Sequence, residues 1–162
     1  MPPATSDLPR FQENLPIPMR DGVALRGHLW LPPGDGPFPV LLNRTPYGKA
    51  SKGFDRLLEA GYAVCTQDTR GRHASDGDFE IFSEAATGDG EDGYDTIEWL
   101  AAQPWCNGQV GTFGASYAAW MQWQAARLQP PHLVAMVAYS IPLELHEVDY
   151  TGSFRPGRRV KW

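Results

Sequence analysis

Hydrophobic and polar positions near the start of the chain follow a period of two. Val23, Leu25, Leu29 and Leu31 are interleaved with Ala24, Arg26, His28 and Trp30, after Glu13 to Met19 and the turn Arg20-Asp21-Gly22. An Asp-Gly pair between two extended runs predicts a β-hairpin, because the turns that match strand twist need residues tolerant of positive φ. The stretch Pro32 to Pro37 interrupts the pattern and delivers Phe38 to Asn43, a run apolar on both faces that predicts a buried central strand. The period then changes: Phe54, Leu57 and Leu58 have helical spacing, and Gly61 offers a left-handed cap. Tyr62 to Gln67 reads as the next strand, and Asp68 to Gly90 as a loop rich in Gly, Asp and Ser. Glu91 to Gln103 reads as a helix with Tyr94, Ile97, Leu100 and Ala101 on one face and acids at its start; Pro104 marks its end. Gln109 to Phe113 is a further strand, Ala118 to Leu128 a helix and Leu133 to Tyr139 an apolar strand, after which the pattern dissolves beyond Pro142. Strands alternating with helices predict an α/β class: a mostly parallel sheet with helices on its faces, led by an antiparallel hairpin.

With 162 residues and 42% hydrophobic content, the chain can bury one sizeable core. The net charge of -5 argues against a nucleic-acid partner, since non-specific affinity for a phosphate backbone comes from Lys and Arg. The one basic cluster runs from Arg155 to Lys161. No apolar run approaches the ~20 residues that cross a bilayer, and the first residues lack the order of a signal peptide. A cytoplasmic protein without a membrane partner is expected. Cys65 and Cys106 lack CxxC spacing and a zinc-ligand cluster, and read as reduced core residues.

The chemistry gathers at Gly114-Ala115-Ser116-Tyr117-Ala118, a GxSxG-like string with alanine in the last position, lying between a predicted strand and a predicted helix. A serine on such a turn is held in a strained backbone, and small residues two before and two after it let strand and helix approach. That lifts the hydroxyl of Ser116 out of the sheet edge as a candidate nucleophile. The backbone N–H of Tyr117, at a helix N-terminus, points to where an oxyanion would form. A second oxyanion donor is expected from the loop after the Phe38 to Asn43 strand. Pro46 has no N–H to offer there, but the hydroxyl of Tyr47 can donate; a half-buried packing role for Tyr47 is the alternative on these grounds alone.

Five segments, MRDGVALRGHLWLP, PVLLNRTPYGK, GYAVCTQDTRGRHASDG, DGYDTIEWLAAQPWCNGQVGTFGASYAAW and LVAMVAYS, run in order from about Met19 to Tyr139. Together they resemble the cocaine-esterase and Xaa-Pro dipeptidyl-peptidase group of serine hydrolases, which also contains α-amino-acid ester hydrolases and other acylases. The resemblance implies an α/β-hydrolase fold, Ser116 as nucleophile, Tyr117 as the residue giving the oxyanion amide and Tyr47 as the tyrosine giving the oxyanion hydroxyl. The implied substrate is a small ester or amide, or a short peptide with an X-Pro N-terminus, with no metal or organic cofactor. Ala119 departs from the glycine of the group's GxSYxG pattern, and His73 from a glycine in RGRGxSxG.

A serine hydroxyl needs a histidine to accept its proton and a carboxylate to orient that histidine. In this fold the acid and then the histidine follow the serine. Downstream of Ser116 stand only His132 and His146, with Glu144, Glu147 and Asp149. His132 begins the last strand and so lies at the opposite sheet edge; His146 lacks an acid on a further strand. The resemblance implies that the cap, later strands and a C-terminal β domain lie outside residues 1–162, so that this chain is a partial α/β-hydrolase domain. The alternative to an active esterase or dipeptidyl-peptidase is then a catalytically inactive fragment lacking the triad His and Asp. A Leu133 to Tyr139 strand without its neighbour predicts self-association through the uncovered edge.

Gly88-Asp89-Gly90-Glu91-Asp92-Gly93 satisfies GxGxxG, but three carboxylates stand where a pyrophosphate would sit. These acids, with Asp76 and Asp78, miss EF-hand spacing and read as a solvated loop or helix start. Arg70 and Arg72 are expected to anchor the loop through hydrogen bonds, and Trp99, Trp105, Trp120 and Trp123 to be core or helix-packing residues rather than substrate platforms.

Overall fold

A computed structural model describes residues 8–83 and 88–141. Strands β1 (Arg10–Pro18) and β2 (Ala24–Leu31) form the predicted antiparallel hairpin. Four further strands follow: β3 (Phe38–Thr45), β4 (Ala63–Asp68), β5 (Cys106–Ala115) and β6 (Leu133–Tyr139). Helices α1 (Asp55–Glu59), α2 (Asp89–Ala101) and α3 (Tyr117–Ala126) lie between them in sequence. Each lies within a few residues of its expected span. β5 is longer than periodicity suggested, because Cys106 and Gly114-Ala115 break the apolar pattern yet still pair with neighbouring strands.

The sheet has six strands in the order β1-β2-β4-β3-β5-β6. β2 joins β4 antiparallel, whereas β4, β3, β5 and β6 run parallel. Thr45 is level with Asp68, and Ala115 with Tyr139, so the C-terminal ends of the parallel strands share one edge. Alternate residues of β4 serve two cores. Ala63 and Cys65 pack with Ile97 and Leu100 of α2 and Ala125 of α3, while Val64 packs with Trp30 and Leu58 of α1. The chain therefore leaves β3 toward one face of the sheet and leaves the adjacent β5 toward the other. Loops diverging from neighbouring strands open a crevice at the C-terminal edge, the usual ligand position in open α/β sheets.

The larger core is sealed by close approach of α2 and α3. A side chain on Gly93 would start 2.7 Å from the Ala125 Cβ, and one on Gly90 would start 3.1 Å from the Gln124 carbonyl oxygen. The glycines of the GxGxxG string thus serve helix packing. β6, the last strand in the order, leaves Val134, Val137 and Tyr139 59%, 61% and 57% exposed. No helix among the described residues is long and apolar enough to cross a membrane.

Candidate active site

β5 ends at Ala115 and α3 begins at Tyr117, leaving Ser116 alone on the turn at φ 56° and ψ -126°. A non-glycine residue in that region is strained, and the surroundings hold it there. The Ser116 amide donates to the Tyr139 carbonyl at 3.1 Å, and the Ser116 carbonyl accepts from the amides of Ala119 and Trp120 to start α3. The small residues are needed by contact. A Cβ on Gly114, whose φ is +154°, would lie 2.7 Å from the Ala118 Cβ and 2.9 Å from the Asn43 Nδ2. Ala118 fills the last position of the motif without displacing either element. Ala119, the departure from the group's glycine, is wholly buried.

Two side chains that sequence reasoning missed fasten this turn. Asn43 donates from Nδ2 to the Phe113 carbonyl at 2.7 Å. Gln122, buried on α3, donates from Nε2 to the carbonyls of Gly114, Ala118 and Val137, and accepts at Oε1 from the Thr112 hydroxyl. A buried glutamine in a mostly apolar helix is the one sequence signal that could have marked it, since such a group must find partners.

The loop after β3 brings Tyr47 to the same place. Its hydroxyl is 3.4 Å from the Ser116 Oγ, and its ring is about half exposed. The loop is held at several points. Asp68, buried at the end of β4, accepts from the Lys49 amide and the Ala74 amide and pairs with the Lys49 ammonium, itself buried. Arg72 donates from Nε to the Pro46 carbonyl at 3.1 Å, and His73 Nε2 meets the same oxygen at 3.2 Å. His73 also lies against Gly48, where a Cβ would start 3.3 Å from the imidazole. The residue that departs from the group's pattern is thus built into the support of the Tyr47 loop.

On the other side of the turn, Tyr117 is 1% exposed. Its hydroxyl donates to Asp89 Oδ2 at 2.7 Å and accepts from the Phe82 amide at 2.6 Å, and its ring stacks on Phe82 at 4.5 Å. Burial, and then the neighbouring Asp89 carboxylate, push the Tyr117 hydroxyl above its usual range. Burial likewise pushes Asp89 up to about 6, against the attraction of Arg44.

Asp89 and Asp92 correct the expectation of a solvated helix start. Both are buried, Asp92 at 1% exposure. Arg70 forks onto Asp92 and also reaches Asp21, so its guanidinium pKa is raised chiefly by the Asp92 hydrogen bond. Arg44 donates to Gln67 Oε1 and to the Asp89 carbonyl. Arg70 and Arg72 do anchor the loop, as expected. Asp76 and Asp78 remain at the surface. Trp120 is buried, Trp99 and Trp105 pack against the larger core, and Trp123 on α3 is 40% exposed.

His132 sits at the start of β6 and pairs with Glu98 at 2.7 Å. With Tyr139 marking the elbow end of that strand, it is about 20 Å along the sheet from Ser116. His28 accepts from the Asn14 amide. Among the described residues, no histidine is hydrogen-bonded to Ser116. His146, Glu144, Glu147, Asp149 and the basic cluster lie outside the described residues. Cys65 and Cys106 are buried free thiols, and burial raises the Cys65 pKa to about 12.

Comparison with known proteins agrees with this geometry. The family described as X-Pro dipeptidyl-peptidase (S15 family) matches residues 21–162. The chain is 46% identical over 147 residues to the cocaine esterase of Rhodococcus sp. (strain MB1 Bresler), covering 86% of this chain and 25% of that protein. It is similar in structure to an α-amino acid ester hydrolase, at 31% identity and a TM-score of 0.69, over 82% of this chain and 25% of that one. An aminopeptidase from the marine sediment archaeon Thaumarchaeota archaeon matches at 29% identity and a TM-score of 0.70, over 83% of this chain and 26% of that one. The chain spans about a quarter of the length of these relatives. With the strand-turn-helix elbow, the sheet order and the family match in agreement, this chain belongs to the X-Pro dipeptidyl-peptidase (S15) family of α/β-hydrolases.

Proposed function

We propose that Ser116 is the nucleophile of a serine hydrolase that acts on a small ester or amide, of esterase, acylase or X-Pro dipeptidyl-peptidase type. The observation that carries this is the pairing of a strained serine, at φ 56°, with a tyrosine hydroxyl 3.4 Å from its Oγ. Ser116 Oγ bonds to the substrate carbonyl carbon as its proton passes to a base, and the carbonyl oxygen becomes an oxyanion. The Tyr117 N–H and the Tyr47 hydroxyl donate to that oxygen. Collapse of the adduct breaks the bond to the alkoxide or amine, which leaves with the proton, and water then hydrolyses the acyl-enzyme. A cytoplasmic location goes with this reading, as does association of copies through the exposed edge of β6.

A second reading is favoured by the histidines, each of which is partnered away from Ser116 among the described residues. In it, the chain alone is catalytically inactive for want of the triad acid and histidine. A fluorophosphonate probe separates the two, because it labels only an activated serine. Labelling of the chain that disappears in Ser116→Ala supports the first reading. A folded chain that takes no label supports the second.

A further inference from the structure

The oxyanion donor proposed for Tyr117 is a main-chain amide, yet the Tyr117 side chain is tied into a carboxylate more fully than packing requires. Its hydroxyl reaches Asp89 Oδ2 at 2.7 Å and the Phe82 amide at 2.6 Å, and its ring is gripped by Phe82 and by the edge of Trp120 at 5.7 Å. A phenylalanine could fill the same space, and would leave no hydroxyl to satisfy. Asp89 in turn is fixed at the first turn of α2. Its carbonyl accepts from Arg44 Nη1 at 2.7 Å, its carboxylate is hydrogen-bonded by the Ser83 amide, and Gly90 and Gly93 bring α2 into close contact with α3.

We propose that Asp89 is a positioning residue for the oxyanion hole, holding the first turn of α3 through the Tyr117 hydroxyl so that the Tyr117 N–H stays aimed at the crevice. The inference rests on the reading of Ser116 as nucleophile. Tyr117 occupies the first helical position after Ser116, so a shift of its Cα when the side chain is no longer held by Asp89 carries the amide of the same residue with it. A misaimed donor loses most of its value, because an oxyanion hole works by being fixed before charge develops. Burial raises the Asp89 pKa, so the ionised group sits there at a cost, as expected of a side chain retained for function rather than for packing.

The test uses the full chain with Asp89→Ala, Asp89→Asn and Tyr117→Phe, and two readouts. One is the rate of fluorophosphonate labelling. The other is the backbone amide resonance and hydrogen exchange of residues 116–118 in a ¹⁵N-labelled sample. Asp89→Ala should lower the labelling rate about tenfold and shift the Tyr117 amide, while the melting temperature holds. Asp89→Asn, whose side-chain oxygen still accepts from the tyrosine, should recover most of the rate and the native amide position. Tyr117→Phe should match Asp89→Ala in rate and perturb the amides of Ser116 and Ala118. A folded Asp89→Ala chain with native rate and native Tyr117 amide overturns the proposal, as does an Asn variant no better than alanine. Should Asp89→Ala fail to fold, Tyr117→Phe decides, since it removes the hydroxyl alone. If the unaltered chain takes no label, the reading of this chain as active by itself fails and the amide resonances still judge the role of Asp89.

Discussion

Tyr117 and Tyr47 stand on either side of Ser116 and are opposites in almost every physical respect. Tyr117 is 1% exposed and Tyr47 52% exposed. Tyr117 sends its side chain inward to Asp89 and, on our proposal, lends its main-chain N–H to the site, whereas Tyr47 brings its hydroxyl to the Ser116 Oγ from a clamped loop. The amide follows from local geometry, since any residue after the turn serine has its N–H at the mouth of α3. The hydroxyl depends on long-range ties: Lys49 to Asp68 across 19 residues, and Arg72 and His73 back to Pro46 across 26 and 27. A donor of the first kind is supplied by the elbow itself, and on our proposal only its aim depends on Asp89. One of the second kind is lost when a distant charge is lost.

The comparison is broken most severely at Asp68. Asp68→Ala leaves the Lys49 ammonium buried without its partner, and removing one member of a buried pair costs about 3–5 kcal/mol. Chemical denaturation should read that loss, and labelling of Ser116 should fall with it, while Asp89→Ala leaves the Tyr47 loop in place. Next comes Tyr47→Phe. An exposed ring that loses one hydroxyl should keep its melting temperature within a degree or two, yet labelling by the phosphonate should slow about 100-fold, the usual loss for one oxyanion donor. Equal labelling in Tyr47→Phe and the unaltered chain would assign the hydroxyl a packing role only.

The smallest expected effect is at Asp89, and it runs with pH. The folded pKa is about 6 against an ordinary 3.8, so the native state holds the proton more tightly than the unfolded chain between those values. Stability from this group is therefore fully present below about pH 3.8 and is lost as pH rises through about 6. The groups facing it are Arg44, which opposes the shift, Asp92, which adds to it, and the hydrogen bonds from Tyr117 and Ser83, which oppose it. Asp89→Asn should thus gain about 2 kcal/mol over the unaltered chain at pH 8, shrinking toward zero near pH 4, in denaturation curves taken at both values.

Much of this molecule is legible in its sequence. Period-two alternation and Asp21-Gly22 mark the hairpin, apolar runs mark β3, β4 and β6, and Gly114, Ser116 and Ala118 mark the elbow, because each signal is local and each residue type has few alternatives at its position. The buried charges were not legible. Asp89 and Asp92 look like acids at a helix start, where solvation and the helix dipole would account for them, and nothing nearby in sequence names Arg70 or Tyr117 as partners. Gln122 stands out only as a glutamine in a mostly apolar helix, and Asn43 not at all, until β5 passes beside them.

The sequence by itself determined which elements form and where the candidate serine sits, since backbone strain and side-chain periodicity act over a few residues. Only the tertiary structure decided that Tyr47 comes within reach of that serine, that Asp68 pairs with Lys49 and Asp89 with Tyr117, and that His132 lies far from it. Charge pairing and strand order act across the whole fold, and a one-dimensional pattern carries no record of which distant groups will share a low-dielectric interior.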